Sequence, residues 1–117
     1  MKSIAMLGAS FAFVAVVGCG SSALPPAKVT ETQSAISAAE AVGAESHPQG
    51  ALHLKLARDQ MQQAQALLRD GQEEEARLVL ERSRVDAELA LVLTREMKAR
   101  ADAQQAQQQI SELETKK

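Results

Sequence analysis

The stretch Asp70-Gly71-Gln72-Glu73-Glu74-Glu75-Ala76 carries the clearest turn signal in this chain of 117 residues. Asp-Gly between two long segments of helical periodicity predicts a tight connection between two helices, with Gly71 in the left-handed conformation. Three glutamates directly after the turn favour a helix start, because the positive end of the helix dipole lies there. The sequence therefore predicts an all-α fold built on an antiparallel helical hairpin.

The lengths of the helices follow from the residues around this turn. No Gly or Pro occurs after Gln72, which predicts a third helix over about 72–115, or roughly 60 Å at about 1.5 Å per residue. Before the turn, a second helix is predicted over about 48–70, with Pro48 in its first turn and a possible capping box from Ser46 to Gln49. A short first helix is predicted over 30–42, from a capping box that begins at Thr30, and it ends at Gly43. The second helix carries a seam at alternating spacings of three and four residues: Leu54, Ala57, Met61, Ala64 and Leu68.

The third helix carries two lines of residues at alternating spacings of four and three, the period of a left-handed coiled coil. The first line, here called the inner stripe, consists of small residues that suit close packing against the second helix. The other line, here called the outer stripe, is expected to face the first helix, a second copy of the chain or another protein. The inner stripe is Ala76, Leu80, Ser83, Ala87, Ala90, Thr94, Met97 and Ala101. The outer stripe is Leu78, Arg82, Val85, Leu89, Val92, Glu96, Ala99, Ala103, Ala106, Ile110 and Leu113.

The second helix is too short to cover the third to its end. Beyond roughly Arg95 the third helix is expected to project from the hairpin, surrounded by glutamines. An interaction seam is predicted along the outer stripe from Val92 onward, at Val92, Ala99, Ala103, Ala106, Ile110 and Leu113.

The N-terminal residues are predicted to be a targeting segment. Lys2 is followed by an uncharged run over 4–17, which suits a signal peptide and is shorter than the roughly 20 apolar residues of a membrane-spanning helix. The stretch Val16-Val17-Gly18-Cys19 resembles the bacterial lipobox, in which the cysteine receives the lipid. That resemblance implies a signal peptide over 1–18 and lipid attachment at Cys19, the single cysteine. Val16 departs from the commoner leucine at its position.

Residues 19–29 are predicted to form a lipidated tether that contains Pro25-Pro26. The helical domain then spans 30–117. Gly20 stands where, in Gram-negative lipoproteins that this segment resembles, an aspartate directs retention in the inner membrane. The resemblance thus implies an outer-membrane anchor facing the periplasm if the host is Gram-negative.

Composition argues against several classes of function. Both aromatic residues, Phe11 and Phe13, lie in the signal peptide, so the remaining chain lacks the aromatic side chains that line most ligand pockets. With a net charge of −2, the chain is not expected to bind nucleic acid. No nucleophile–base pair, phosphate-binding loop or metal motif is present. His47 and His53 are the only histidines and are expected on the surface. We therefore expect no enzyme activity, cofactor, metal or small-molecule substrate.

Two resemblances bear on the fold. Ala76, Leu80 and Ser83 follow Gly71 at distances that resemble the middle of a tetratricopeptide repeat, although a single helix pair excludes a repeat array. The wider pattern is similar to short Ala-rich bacterial envelope lipoproteins of unknown function, whose domain also occurs fused to OmpA-like modules. The segments that carry this second resemblance are Ala38-Ala39-Glu40-Ala41-Val42-Gly43, Leu56-Ala57-Arg58, residues 71–76 and Asp86-Ala87-Glu88-Leu89-Ala90.

Two functions remain open on the sequence alone. In the first, the protein is a lipid-tethered helical module that binds another envelope protein. In the second, the third helices self-associate as a coiled coil and form a spacer between outer membrane and cell wall. Lys116-Lys117 resembles the terminal lysine of such spacers. The usual final Tyr-Arg-Lys is absent, and Arg82 and Glu96 interrupt the seam.

Overall fold

The computed structural model describes residues 23–116, which form three α-helices and one short 3-10 turn, with no strand among them. Helix α1 spans Pro26–Ala41 and helix α2 spans Pro48–Arg69. Helix α3 spans Glu73–Thr115, and the 3-10 turn Ala44–Ser46 lies between α1 and α2. The predicted all-α class is confirmed.

Helix α1 begins four residues before the predicted start at Thr30. Its N-cap is Pro25 and its first residue is Pro26, so the expected capping box is wrong. A proline at the first helical position costs no backbone hydrogen bond and presets φ for the helix, which explains the earlier start. The hydroxyl of Thr30 instead donates back to the Pro26 carbonyl oxygen at 3.3 Å. The last part of the predicted tether, residues 26–29, is therefore helical.

The start of α2 also lacks the predicted capping box. His47 occupies the N-cap position without a side-chain hydrogen bond, and Pro48 is the first helical residue. Ser46 belongs to the preceding 3-10 turn. As in α1, the sequence starts this helix with a proline in place of a side-chain cap.

The hairpin turn has the predicted geometry. Gly71 has a φ of 74°, and Gly43, which follows α1, has a φ of 76°. After α2, the Gly71 amide donates to the Leu68 carbonyl at 3.2 Å and the Gln72 amide donates to the Leu67 carbonyl at 2.9 Å. These two bonds make a Schellman motif, which satisfies carbonyl groups that the end of a helix leaves unpaired.

The three helices form an up-down-up bundle. Helix α1 runs parallel to α3, because Thr32 approaches the Leu80 carbonyl near one end and Lys98 reaches the Val42 carbonyl at the other. Helix α2 runs antiparallel to α3. Its N-terminal Gly50 lies against Thr94, and the Ser83 hydroxyl donates to the Ala57 carbonyl at 2.7 Å farther along.

The N-terminus of α2 crosses α3 at very short range. A Cβ atom added to Gly50 would lie 2.4 Å from the Thr94 Oγ1 atom and 2.8 Å from the Ala44 carbonyl oxygen. The Ala44 oxygen is a backbone atom of the 3-10 turn, so it cannot rotate away as a flexible side chain would. Gly50 is therefore required for its lack of a side chain and not for its backbone conformation.

We predict that Gly50→Ala lowers the free energy of unfolding by about 1–3 kcal/mol, because the added methyl group overpacks this contact. At an open helical site the same change would stabilise by about 1 kcal/mol, so the sign of the effect is diagnostic. Urea unfolding followed by circular dichroism measures it. Gln49→Ala, at the exposed neighbouring position, is the control and should leave stability nearly unchanged.

The cost of a substitution at Gly71 should come from the backbone alone, because no atom lies within 4 Å of an added Cβ. Gly71→Val should lower the free energy of unfolding by about 1 kcal/mol or more, since a β-branched residue resists positive φ. Gly71→Asn should cost much less, because asparagine tolerates this conformation. Equal thermal melting of the Val and Asn variants would contradict a backbone origin.

Candidate interaction surface

The inner stripe forms the buried core of the hairpin over part of α3 only. Its members from Ala76 to Thr94 are fully buried or nearly so, and most of them are small. Met97, the next member, is 45% exposed, and Ala101 is exposed as well. The change from buried to exposed residues occurs beside Gly50, near the first residues of α2. Burial along α3 therefore stops at the level where the antiparallel α2 no longer lies beside it.

The outer stripe points away from both neighbouring helices. Leu78, Val85 and Val92 are 49%, 50% and 57% exposed, which is high for apolar side chains on a helix that is packed on its other face. The expectation that this stripe could face the first helix is wrong. Helix α1 lies on a different side of α3, where Thr32 contacts the Leu80 carbonyl.

The distal part of α3 extends beyond the bundle. Lys98 makes the outermost contact that ties α3 to the other helices, a 2.6 Å hydrogen bond from its Nζ atom to the Val42 carbonyl oxygen. All residues over 95–116 are exposed, including the predicted seam residues Ala99, Ala103 and Ala106. Ile110 is 57% exposed and Leu113 is 67% exposed. Residues 99–116, here called the distal segment, thus extend about 25 Å past the bundle at about 1.5 Å per residue.

The start of the described chain and the distal segment lie at opposite ends of the molecule. The Leu24 amide donates to the Glu73 carboxylate at 3.0 Å, next to the hairpin turn. Ala23 and Gly71 line the same shallow surface groove. The described chain therefore starts beside the hairpin turn, and the outer stripe runs from there to the far end of α3.

Charged side chains on the bundle are largely paired with one another. Arg84 lies between Glu81 and Glu88, and this guanidinium lowers the pKa of the Glu81 carboxyl group below its ordinary value. Arg58 binds Glu40 on α1 and Glu45 on the 3-10 turn, which connects three elements. Because these ion pairs are exposed to solvent, each adds little to the free energy of unfolding, and their main effect is to fix the positions of the side chains.

Arg77 pairs with Glu74 and lowers the pKa of that carboxyl group. Glu73, four residues before Arg77, accepts a hydrogen bond from the Leu24 amide. Farther along α3, Arg100 pairs with Glu96 at the i,i+4 spacing.

A small polar cluster spans α2 and α3. Asp86 accepts from Gln60 at 2.8 Å, and its other oxygen lies 2.9 Å from the Nδ1 atom of His53. His53 is thus half-buried and bound to a carboxylate, whereas the sequence predicted a plain surface histidine. Over residues 23–116 no group of three His, Cys, Asp or Glu side chains is placed to hold a metal ion. This cluster has the form of a structural tie between the two helices.

The surface offers open grooves more than enclosed cavities. One such groove lies between α1 and α3 and is lined mainly by polar and charged side chains such as Lys28, Glu31 and Arg84. Over residues 23–116, the helices include none that is both long enough and apolar enough to cross a membrane. The predicted lipid site, Cys19, lies outside the described residues, as do the predicted signal peptide over 1–18 and Lys117.

Comparison with known proteins places the chain in a family. A family model described as a domain of unknown function (DUF4398) matches residues 27–106. The chain belongs to this family. The match begins at the start of α1 and takes in the hairpin together with the first part of the distal segment. No curated protein and no solved structure matches the chain.

Two features of the structure were not predicted from the sequence. Leu52 and Leu56 on α2 are 55% and 37% exposed and add apolar area beyond the outer stripe. Neither leucine falls at the three–four spacing of the α2 seam, and that mismatch was the signal available in the sequence. The close approach at Gly50 was also missed, since a glycine in a helix gives no hint of what lies opposite.

The packed part of α3 and its distal segment should respond differently to substitution. Ala87→Leu should lower the free energy of unfolding by about 1–3 kcal/mol, because Ala87 is fully buried against the bundle. The double change Ile110→Ser with Leu113→Ser should leave the melting temperature of the monomer nearly unchanged, since both side chains are exposed. Thermal melts at a concentration where the chain is monomeric test both. Early melting of the double variant would show that the distal segment packs on the bundle.

Proposed function

We propose that this protein is a lipid-anchored bacterial envelope protein that acts as a helical protein-interaction module, with the outer stripe of α3 as its binding face. The observation that carries the proposal is the exposure of apolar side chains along this stripe from Leu78 to Leu113. Contiguous exposed apolar surface on a soluble domain is unfavourable unless a partner covers it.

The chemistry of the surface favours a protein partner over a small molecule. The described grooves are open, and the aromatic side chains typical of ligand pockets do not occur after residue 13. A helix with apolar residues at spacings of three and four binds well in a groove or against another helix. The stripe lies on one continuous helix, so its side chains are already ordered before binding, which lowers the entropic cost.

The lipid anchor rests on Val16-Val17-Gly18-Cys19 at the end of an apolar run. The family match to a domain of unknown function is consistent with the resemblance to short Ala-rich envelope lipoproteins. The described chain begins at the hairpin turn, so a lipid on Cys19 would attach at the end opposite the distal segment. Gly20 favours the outer membrane, with the domain facing the periplasm, in a Gram-negative host.

The second candidate is a coiled-coil spacer formed by α3 helices that associate in parallel between outer membrane and cell wall. The length of α3, 43 residues, favours such a role. Arg82 and Glu96 lie in the outer stripe, and parallel association would bring each next to its own copy. Like charges at a helix interface are unfavourable, so we rank this candidate second.

The anchor can be tested with Cys19→Ser. We expect this variant to accumulate as an uncleaved or mislocalised precursor and to take up no labelled palmitate, because the thiol is the site of lipid attachment. Metabolic labelling with membrane fractionation measures both effects. A normally processed, soluble product from the variant would refute the lipoprotein assignment.

The binding face can be tested by placing a photo-crosslinking amino acid at Val85 or Val92 in the full chain in living cells. We expect adducts with another envelope protein at these positions, because both side chains are exposed on the outer stripe. The matched control is the same amino acid at Lys55, an exposed position on α2 outside the stripe.

Mass spectrometry of the adducts identifies the partner. Adducts at the stripe and none at the control position would support the interaction role. Equal labelling at stripe and control positions, or no adduct at either stripe position, would contradict it.

A further inference from the structure

We propose that the distal segment binds the distal segment of a second copy in antiparallel orientation, with the pair centred at the level of residue 108. This inference deepens the proposed function, on which it rests, by assigning a partner to the outer part of the stripe. It is argued from the spacing of the apolar residues and the pattern of charges over residues 99–116, all of which are exposed.

The outer stripe continues through the distal segment with coiled-coil spacing. In heptad terms, Ala103 and Ile110 occupy position a, and Ala106 and Leu113 occupy position d. In an antiparallel pair, an a residue of one helix lies opposite a d residue of the other. Centring the pair at residue 108 puts Ala103 opposite Leu113 of the second copy and Ala106 opposite Ile110 of the second copy. Every layer then combines a small with a large side chain, which fills space evenly.

The charges beside the seam complement one another in the same register. In an antiparallel pair, the flanking e residues face e residues and the g residues face g residues. Arg100 at e would face Glu114 of the second copy, and Asp102 at g would face Lys116 of the second copy. Twofold symmetry doubles both, which gives four attractive pairs per dimer. Charges at e and g set the partner and orientation of coiled coils.

The neighbouring antiparallel registers are worse. A shift of one heptad toward the bundles brings Arg95 opposite Lys116, a pair of like charges. A shift of two heptads brings Arg100 opposite Arg100 and Asp102 opposite Asp102. Like charges across a helix interface are destabilising, so the charges select the register centred at residue 108.

A parallel pair lacks these advantages. There the residue at g faces the residue at e five positions later in the other copy, which puts Arg95 opposite Arg100. Glu96 at position a would also meet Glu96. Parallel alignment stacks Ile110 on Ile110 but also Ala103 on Ala103, so large and small layers alternate instead of compensating.

The bundles do not obstruct the antiparallel pair. Each α3 extends roughly 50 Å from Glu73 to the level of residue 108, at about 1.5 Å per residue, so the two hairpin turns lie about 100 Å apart. The bundles end near Lys98, outside the overlap. The described part of each copy starts at the hairpin turn, where Leu24 meets Glu73, so the two starts lie at opposite ends of the paired rod. With the proposed lipid on Cys19 of each copy, the rod would lie along the membrane.

Only four seam side chains per copy meet in this pair, so the dimer should be reversible and depend on concentration. Anchoring on a membrane raises the local concentration and favours pairing. The part of the outer stripe nearer the turn, with Leu78, Val85 and Leu89, stays free for an envelope protein partner.

The test uses single-cysteine crosslinking of the full chain in intact cells. Gln107 occupies position e and faces Gln107 of the second copy, so Gln107→Cys should give a product of twice the mass with a short bismaleimide. The matched control is Gln108→Cys, an exposed glutamine at position f on the opposite side of the helix, which should give none. The unmodified chain reports any crosslinking through Cys19.

Charge exchange then tests the register. In the Gln107→Cys background, Arg100→Glu should lower the dimer yield about fivefold, because two exposed ion pairs become like-charge pairs. Adding Glu114→Arg should restore the yield, since the exchanged charges again attract. Circular dichroism of each variant confirms that the helix is intact.

Equal crosslinking at Gln107→Cys and Gln108→Cys, or no rescue by the second exchange, would overturn the antiparallel pair. Photo-crosslinked adducts of the stripe with other proteins would still support the interaction role in that case. Conversely, a double-mass product from Gln107→Cys together with no adduct at Val85 or Val92 would support the pair and remove the envelope partner.

Discussion

The hydroxyl of Ser83 donates to the backbone carbonyl of Ala57 in the buried seam of the hairpin, and that contact requires the two helices to lie very close together. The approach is possible because the seam is made of alanine, serine and glycine, with a few larger residues such as Leu54 and Leu80 filling the gaps. Close packing of small side chains gives many short contacts but little buried area per residue. The orientation of α3, and with it the outward direction of the outer stripe, depends on this seam.

Because α2 is shorter than α3, part of α3 has no helix packed against it. Helix α2 has 22 residues and helix α3 has 43, so a hairpin that begins at Gly71 cannot cover the second half of α3. Helix α1 does not compensate, because it runs parallel to α3 on another side and ends near Lys98. Apolar residues on the remaining length must meet either water or another molecule, which is the physical basis of the proposed interaction role.

The charged side chains differ between the bundle and the distal segment. On the bundle, Arg58, Arg77 and Arg84 are engaged by neighbouring carboxylates and contribute to local geometry. On the distal segment, Asp102 and Glu114 form no ion pair with any residue in the described range, and neither does Lys116. The antiparallel pair would use these groups, whereas a partner of another kind would need charges that complement the same pattern.

The sequence by itself determined the all-α class, the left-handed conformation of Gly71 and the ends of α2 and α3 to within about two residues. These features depend on local chemistry: the spacing of apolar residues, the freedom of glycine at positive φ, and the absence of helix breakers after Gln72. It also separated the two stripes of α3, because a period near 3.5 residues assigns each side chain to a face.

Only the tertiary structure decided which stripe is covered, where the cover ends and what α1 does. A helical repeat shows that a face is apolar but not which neighbour packs on it, so α1 could be assigned to the outer stripe until its contact with Leu80 was seen. The requirement for Gly50 likewise arises from Ala44 and Thr94, which are far from it along the chain or belong to another element. Such contacts depend on distances across the bundle, and local sequence patterns do not contain those distances.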